Sequence, residues 1–301
     1  MGAAGQEISD VGAHGRKSWH SLAPRGYGDL PVQASALSNY SADMASARIN
    51  GTTIHYKDTG GSGPAVILSH GFLMDHSMFD PQVAALKSTH RVITWDERGF
   101  GGTRAPGQFT YWDSARDVLG LLDHLGIDKA VVGGMSQGGF LSLRVALTAP
   151  DRVRGLILID TQAGTEDADK VEGYGQLHDA WMAYGSAAVQ DVISGIILGA
   201  GSWDSWYAKW AAMDKEQFSL AFDCLMHRDD VTPRLGEITA PSLIIHGDND
   251  AAIPVSKAET LRDGLGGPAE LVVVAGGTHA ANLTHPEPTN AAIKRFLASL
   301  A

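Results

Sequence analysis

The stretch VVGGMSQGGF, residues 131–140, decides the fold of this chain. An apolar β-branched run leads into it, a helical pattern leaves it, and Ser136 stands between two glycine pairs. Gly134-x-Ser136-x-Gly138 matches the G-x-S-x-G pattern of a nucleophile elbow, a strained turn that lifts a serine hydroxyl above the edge of a sheet. The pattern alone is weak in a chain with 36 glycines, and a glycine-rich turn with a serine N-cap is the alternative.

Strand-like and helical stretches alternate on both sides of this motif. Six stretches are apolar throughout, which is typical of strands buried on both faces of a parallel sheet. They are PAVILSHG (64–71), RVITWD (91–96), KAVVGG (129–134), VRGLILID (153–160), PSLIIHG (241–247) and AELVVVAG (269–276). Asn50-Gly51, between two short extended runs, predicts a hairpin ahead of them. We expect an α/β fold with a mostly parallel sheet flanked by helices, which favours the elbow over the simple turn.

The alternation of strand-like and helical stretches stops between residues 163 and 236. No strand-like run occurs there, and helical stretches rich in Trp, Tyr, Met and Ala take its place. This predicts a helical cap inserted between the sixth and seventh core strands, with the core formed by residues 45–162 and 237–301. Residues 1–44 are rich in Gly, Ser, Ala and Asp, and we interpret them as an N-terminal extension that is partly disordered.

Charge and composition exclude several classes of partner. The formal net charge is −11, so nucleic acid and anionic membranes would repel the chain. No window approaches the 18 consecutive apolar residues of a membrane span, and the extension lacks the apolar region of a secretory signal. We therefore expect a cytoplasmic protein without nucleic-acid or membrane partners. Cys224 is the only cysteine, which excludes an internal disulfide, and its apolar setting indicates a packed side chain.

A reactive serine needs a base and an acid to orient that base. LIIHGDND places Asp250 just after one apolar strand, and LVVVAGGTHAAN places His279 just after the next. The order Ser136, Asp250, His279 is the order of the elbow fold. We predict that these three residues form a catalytic triad.

Three other residues compete for these roles. His285 lies six residues beyond His279 in THPEP, which we interpret as the start of the final helix. Asp248 precedes Asp250 in the same loop, and we expect it to form the turn. Asp160 ends the strand LILID, from which a carboxylate can also reach the histidine.

An oxyanion hole should complete the site. One donor is expected to be the backbone N–H of Gln137, the residue after the nucleophile. The other is expected from the loop His70-Gly71-Phe72, where the Phe72 N–H is the donor. We interpret His70 as a structural histidine that bonds to local backbone.

The chain resembles the α/β-hydrolase superfamily from about residue 46 to residue 301. The matching elements, in order, are HGF, WDERGFGGT, GGMSQGG, APSLIIHGDNDAAIP and GGTHAANLTHPEP. Its cap position and its last two motifs look like those of small bacterial carboxylesterases, 3-oxoadipate enol-lactonases, C–C bond hydrolases and haloperoxidase-like esterases. Epoxide hydrolases and haloalkane dehalogenases have an aspartate at the elbow, where this chain has Ser136.

The cap should supply part of the substrate pocket. Most of its aromatic residues are expected to pack the cap, and one or two to line an apolar pocket with core residues. The candidate pocket residues are Phe72, Met135, Trp181, Trp203, Trp206 and Trp210. A dicarboxylic substrate would need a cation in the cap, and Lys209 and Arg228 are the only good candidates there.

These observations predict a serine hydrolase that cleaves carboxylic ester or lactone bonds of a small, largely apolar substrate through an acyl-enzyme. Neither a metal nor an organic cofactor is implied. C–C bond hydrolysis and perhydrolysis on the same triad are the alternative activities. A ligand-binding protein that keeps the fold without turnover is the alternative of another class.

Overall fold

The computed structural model describes residues 44–300. The predicted N-terminal extension therefore lies outside the described residues, apart from its last residue. Within the described part, eight strands form one sheet in the order β1-β2-β4-β3-β5-β6-β7-β8. They are β1 (Ala45–Ile49), β2 (Thr52–Asp58), β3 (Ala65–Ser69), β4 (Arg91–Trp95), β5 (Ala130–Met135), β6 (Val153–Ile159), β7 (Ser242–Gly247) and β8 (Ala269–Val274).

The sheet is mostly parallel, as predicted. β2 runs antiparallel to β1 and to β4, whereas every pair from β4 to β8 is parallel. The predicted hairpin joins β1 to β2, with Ile49 opposite Thr52. Asn50 and Gly51 have φ angles of 44° and 82°, which is the backbone that a tight two-residue hairpin turn requires.

Helices cover both faces of this sheet. In chain order they are α1 (Asp80–Leu86), α2 (Tyr111–His124), α3 (Gln137–Thr148), α4 (Ala168–Tyr184), α5 (Gln190–Ile197), α6 (Asp204–Ala212), α7 (Lys215–Met226), α8 (Val255–Gly264), α9 (Ala281–Thr284) and α10 (Pro286–Ser299). Local sequence sets several of their starts. Thr110 and Asp113 form a capping box at α2, and the Asp214 carboxylate caps α7 by accepting two backbone N–H groups.

The continuous apolar character of the strands follows from burial on both faces of the sheet. On β3, Ile67 belongs to the core cluster on one side, while Val66 and Leu68 belong to the cluster on the other. Because successive side chains of a strand point to opposite faces, each position must be apolar. This accounts for the pattern that separates these strands from half-exposed ones.

Helices α4 to α7 lie between β6 and β7, the sixth and seventh strands of the chain. This is the interval in which the sequence predicts a helical cap, and we use the name cap for these four helices. β6 and β7 nevertheless pair directly, from Leu156 opposite Ser242 to Ile159 opposite Ile245. Among the described helices, none combines the length and apolarity that crossing a bilayer would demand.

Candidate active site

Ser136 occupies a strained turn between β5 and α3. Its φ and ψ angles are 51° and −113°, a conformation that costs a non-glycine residue of order 1–3 kcal/mol. The surrounding structure holds the turn, because the Ser136 N–H donates to the Ile159 carbonyl at 2.9 Å. The carbonyl of Ser136 accepts the Thr161 hydroxyl at 2.7 Å. The Ile159 backbone in β6 and the Thr161 side chain just beyond it thus fix the serine at the carboxyl edge of the sheet.

The flanking glycines are required by close packing of this turn. A Cβ on Gly138 would lie 2.0 Å from the Ser69 carbonyl oxygen, and one on Gly134 would lie 2.4 Å from the carbonyl carbon of Gly138. A Cβ on Gly139 would meet the Thr161 side chain at 2.4 Å. The sequence GGMSQGG therefore reflects a helix that begins in direct contact with two strands, rather than a flexible loop.

The structure brings Ser136, His279 and Asp250 together in one hydrogen-bonded chain. His279 Nε2 lies 3.0 Å from Ser136 Oγ, and His279 Nδ1 lies 2.8 Å from Asp250 Oδ2. Because a carboxylate only accepts, Nδ1 carries the proton, and Nε2 is left to accept the serine hydroxyl proton. Ser136 and His279 are only 7% and 5% exposed, so bulk water only weakly screens the electrostatic interactions among these three residues.

Asp250 is held by four donors. Oδ1 accepts the N–H groups of Ala252 and Ile253 at 2.8 and 2.9 Å. Oδ2 faces His279 and also His246 Nε2, which is 3.2 Å away. Burial is the largest influence and favours the neutral acid, but these histidines and backbone donors outweigh it and hold the pKa of Asp250 below its usual range.

The same carboxylate acts on the imidazole. Burial is the largest influence on His279 and lowers its pKa, but the charges of Asp250 and Asp160 more than reverse this, so the pKa of His279 lies above its ordinary value. The imidazolium that forms when the histidine takes a proton is therefore stabilised in place.

His246 contacts Asp250 and was not among the site residues predicted from the sequence. Its Nε2 lies 2.8 Å from the Ile253 carbonyl and 3.2 Å from Asp250 Oδ2. Both partners are acceptors, so Nε2 carries a proton. The available signal was a lone histidine at the end of the apolar strand LIIHG, four residues before the acid.

The competing residues have other partners. Asp160, fully buried with a φ of 46°, accepts the Gly247 and Ala281 N–H groups at 2.7 and 2.9 Å. It thus ties the acid loop to the histidine loop, and burial raises its pKa to about 7. Asp248 accepts the Gly276 N–H at 2.6 Å. His285 is the N-cap residue of α10 without a side-chain capping bond, and its Nδ1 lies 3.0 Å from the Thr284 hydroxyl.

The two predicted oxyanion donors belong to the loop after β3 and to the first residue of α3. Within residues 44–300, the N–H groups of Phe72 and Gln137 donate no hydrogen bond to another residue. The Gln137 side chain is fixed, because its amide donates to Glu97 Oε2 at 3.1 Å and accepts the Tyr111 hydroxyl at 3.2 Å. Both donors therefore remain available to a ligand.

His70 supports the first of these loops. Its Nε2 accepts the Glu97 N–H at 3.0 Å, and its Nδ1 donates to the Gly71 carbonyl at 2.8 Å. Complete burial lowers the pKa of His70 to about 4, so the ring is neutral and engaged at both nitrogens. This is the local backbone bonding that the sequence reading expected.

A cavity is bordered by Ser136 and His279. Its wall is mostly apolar and comes from both the core and the cap. The residues that border it are Phe72, Leu73, Met135, Ser136, Glu166, Tyr174, Leu177, His178, Ile193, Ile196, Ile197, Phe218, Phe222, Leu225, Ala252, Ile253 and His279. Phe72 and Met135 are among them.

The four cap tryptophans predicted as pocket residues do not border the cavity, which corrects the sequence reading. Trp181 stacks behind Phe218, with ring centroids 4.4 Å apart. Trp210 donates from Nε1 to the Leu73 carbonyl at 2.7 Å and so fastens the cap to the loop after β3. Trp203 donates to the carbonyl of Gly199, and Trp206 lies under the Lys209 ammonium. Their large rings fill the spaces between helices, and smaller side chains face the cavity.

Two clusters in the described part of the chain hold ligand-type atoms within 4.8 Å of one another. They are Asp75, His76 and Asp96, and Asp160, His246 and Asp250. In the first, the His76 ring and the Lys209 ammonium already pair with the carboxylates. In the second, the carboxylates accept the backbone and histidine donors described above. Both clusters are thus internally compensated.

The chain is similar in sequence and in fold to known hydrolases. Residues 64–192 match the model of the alpha/beta hydrolase fold family, and residues 216–300 match that of the TAP-like proteins. A 3-oxoadipate enol-lactonase from Acinetobacter baylyi is 25% identical over 85% of this chain and 94% of its own length. A putative carbamate hydrolase from Variovorax paradoxus is 29% identical over 81% of this chain and 96% of its own. The structure of an esterase from Thermogutta terrifontis, 26% identical, superposes with a TM-score of 0.77 over 86% of this chain and 99% of that one.

Proposed function

The chain belongs to the α/β-hydrolase superfamily, and we propose that this hydrolase cleaves carboxylic ester or lactone bonds of small, largely apolar substrates through an acyl-enzyme. One observation carries the proposal. Ser136, His279 and Asp250 form a continuous hydrogen-bonded chain with links of 3.0 and 2.8 Å at the floor of an apolar cavity.

In the first half of the proposed reaction, Ser136 Oγ attacks the carbonyl carbon while its proton passes to His279 Nε2. Asp250 keeps the proton of the imidazole on Nδ1 and stabilises the imidazolium. The carbonyl oxygen becomes an oxyanion, which the N–H groups of Phe72 and Gln137 bind, aided by the positive end of α3.

In the second half, collapse of the tetrahedral intermediate expels the alkoxide, which takes the proton from His279. Water then attacks the acyl-enzyme with the same histidine as base, and Ser136 is released with the carboxylic acid. With a lactone, the expelled hydroxyl stays on the acyl chain, so acid and alcohol leave as one molecule.

The cavity supports a neutral, apolar substrate. Most of the side chains that border it are aliphatic or aromatic, as in pockets that bind apolar ligands. Neither Lys209 nor Arg228, the cations that a dicarboxylic substrate would need, borders it. Lys209 pairs with Asp75 at 2.9 Å and with the Ser77 hydroxyl at 2.6 Å.

A fluorophosphonate probe and a substrate panel test the proposal. Wild type should form a covalent adduct on Ser136 and hydrolyse para-nitrophenyl esters or lactones, while Ser136→Ala should do neither and keep its melting temperature. Failure to label Ser136 would support the non-catalytic ligand-binding alternative. Labelling with turnover of a vinylogous ketone, or with peracid formation alone, would support the C–C hydrolase or perhydrolase alternatives.

A further inference from the structure

One acidic side chain borders the mostly apolar cavity. Glu166 lies between β6 and α4, and its side chain is 9% exposed. Its Oε1 is 2.9 Å from Nη2 of Arg228, whose side chain is only 1% exposed. The carboxylate thus stands at the cavity wall, and the guanidinium lies directly behind it.

Arg228 is fixed independently of Glu166. Its Nε donates to the Gly164 carbonyl at 3.0 Å and its Nη1 to the Leu225 carbonyl at 2.9 Å. Its guanidinium carbon lies 4.3 Å from the centre of the Phe140 ring, a cation–π arrangement. Nη2 makes no hydrogen bond, and its partner is the Glu166 carboxylate, 2.9 Å away, as an ion pair. Removal of the carboxylate would therefore leave the cation in position.

The Glu166–Arg228 pair is the charged element beside the cavity. No lysine or arginine borders the cavity in the described part of the chain, so Glu166 is the only side chain there that carries a full charge by default. A substrate carboxylate would meet the negative end of this ion pair at short range, with Arg228 farther away behind it, in a weakly screened space. A neutral acyl chain meets a pair whose charges largely cancel.

We propose that Glu166 is a specificity-determining residue that restricts the enzyme to uncharged substrates by covering Arg228, and that loss of its charge converts Arg228 into a subsite for a substrate carboxylate. This inference rests on the proposed function, since it concerns the same cavity. It assigns discrimination to a repulsive element, one of the two ways in which binding sites achieve specificity.

Two esters of matched shape test it. Para-nitrophenyl heptanoate is neutral, and the mono-para-nitrophenyl ester of adipic acid carries a terminal carboxylate at a similar chain length. The readout is the ratio of kcat/KM for the anionic ester to kcat/KM for the neutral one. Glu166→Gln removes the charge and keeps the shape. Glu172→Gln, on the exposed face of α4, makes the same change in net charge away from the cavity and is the matched control.

We expect wild type and Glu172→Gln to share a low ratio, and Glu166→Gln to raise it about tenfold or more, since a unit charge is unmasked at short range. The double variant Glu166→Gln/Arg228→Gln should return the ratio toward wild type. Glu166→Ala serves as a second substitution, with fluorophosphonate labelling of Ser136 as the test of folding.

Three outcomes overturn the inference. In one, wild type hydrolyses the two esters with similar kcat/KM, which needs no variant to observe. In another, Glu166→Gln behaves as Glu172→Gln does. In the third, the gain persists without the Arg228 guanidinium. If instead wild type neither labels at Ser136 nor cleaves the neutral ester, the proposed function itself has failed.

Discussion

His246 and His279 bind the same oxygen of one carboxylate. Asp250 Oδ2 lies 2.8 Å from His279 Nδ1 and 3.2 Å from His246 Nε2. The acid is therefore held from the side facing the base and from the side facing the core. This makes His246 a positioning residue in the proposed mechanism, because it contacts the acid and does not border the cavity.

Two substitutions of His246 should distinguish the effect of its hydrogen bond on activity from the effect of its charge. His246→Leu removes the donor and should lower kcat about tenfold to a hundredfold, the worth of a hydrogen bond to a charged group. His246→Gln can offer an amide N–H at the same place and should retain most of kcat. Since the His246 charge lowers the pKa of His279, both variants should move the acid limb of kcat/KM to higher pH. An unmoved limb in both, with equal losses of kcat, would point to a purely structural role.

The pH dependence of wild type should reflect the raised pKa of His279. The base must be neutral to accept the serine proton, so kcat/KM should fall about tenfold per pH unit below that pKa. Because the pKa lies above the ordinary value of 6.5, the midpoint of the acid limb should lie above 6.5 as well. A pH profile of ester hydrolysis measures it, and a midpoint clearly below that value would contradict the electrostatic role of Asp250.

Asp250 and Asp160 should differ in what their loss affects. Asp250→Asn should lower kcat by about 10⁴-fold, because an amide no longer imposes the productive tautomer of His279. Asp160→Asn replaces one acceptor oxygen by an NH2 group, which would face the backbone N–H donor of Gly247 or Ala281, and should cost about 1–3 kcal/mol of stability. Kinetics and thermal unfolding of both variants decide the matter. A larger loss of kcat in Asp160→Asn than in Asp250→Asn would mean that Asp160, and not Asp250, orients His279.

The elbow glycines should be intolerant of even a methyl group. Gly138→Ala places a carbon 2.0 Å from the Ser69 carbonyl oxygen and should destabilise the fold by about 1–3 kcal/mol or more. Gly173 is the matched control, since it lies in α4 with nothing within 4 Å of an added Cβ. Gly173→Ala should stabilise by up to about 1 kcal/mol. Chemical denaturation compares the two, and equal effects would mean that the turn can relax.

The site could be located from sequence wherever position along a strand determines it. Ser136, Asp250 and His279 each follow a continuously apolar run, and parallel strands bring their carboxyl ends to one edge of a sheet. The same reasoning could not find the ring nitrogen of His246, because a histidine inside a strand gives no sign of which carboxylate it faces.

The pocket lies beyond this kind of inference. Trp181 and Phe218 sit on different cap helices and stack on each other, and only their packing decides that the phenylalanine faces the cavity. A helical pattern indicates which residues share a face, but the cap presents one face to the core and another to neighbouring helices. The Glu166–Arg228 pair joins positions far apart in the chain, so its place at the cavity wall also emerges from tertiary packing alone.

Because β6 pairs directly with β7, the cap is an insertion that the sheet does not need for its own continuity. The chain leaves the sheet after Ile159 and re-enters it at Ser242 on the adjacent strand, so recombination could exchange helices α4 to α7 without opening a gap in the sheet, as long as Asp160 and Thr161 stay with the core. The chemistry at its edge would be inherited unchanged, while selectivity would arrive with each new insert.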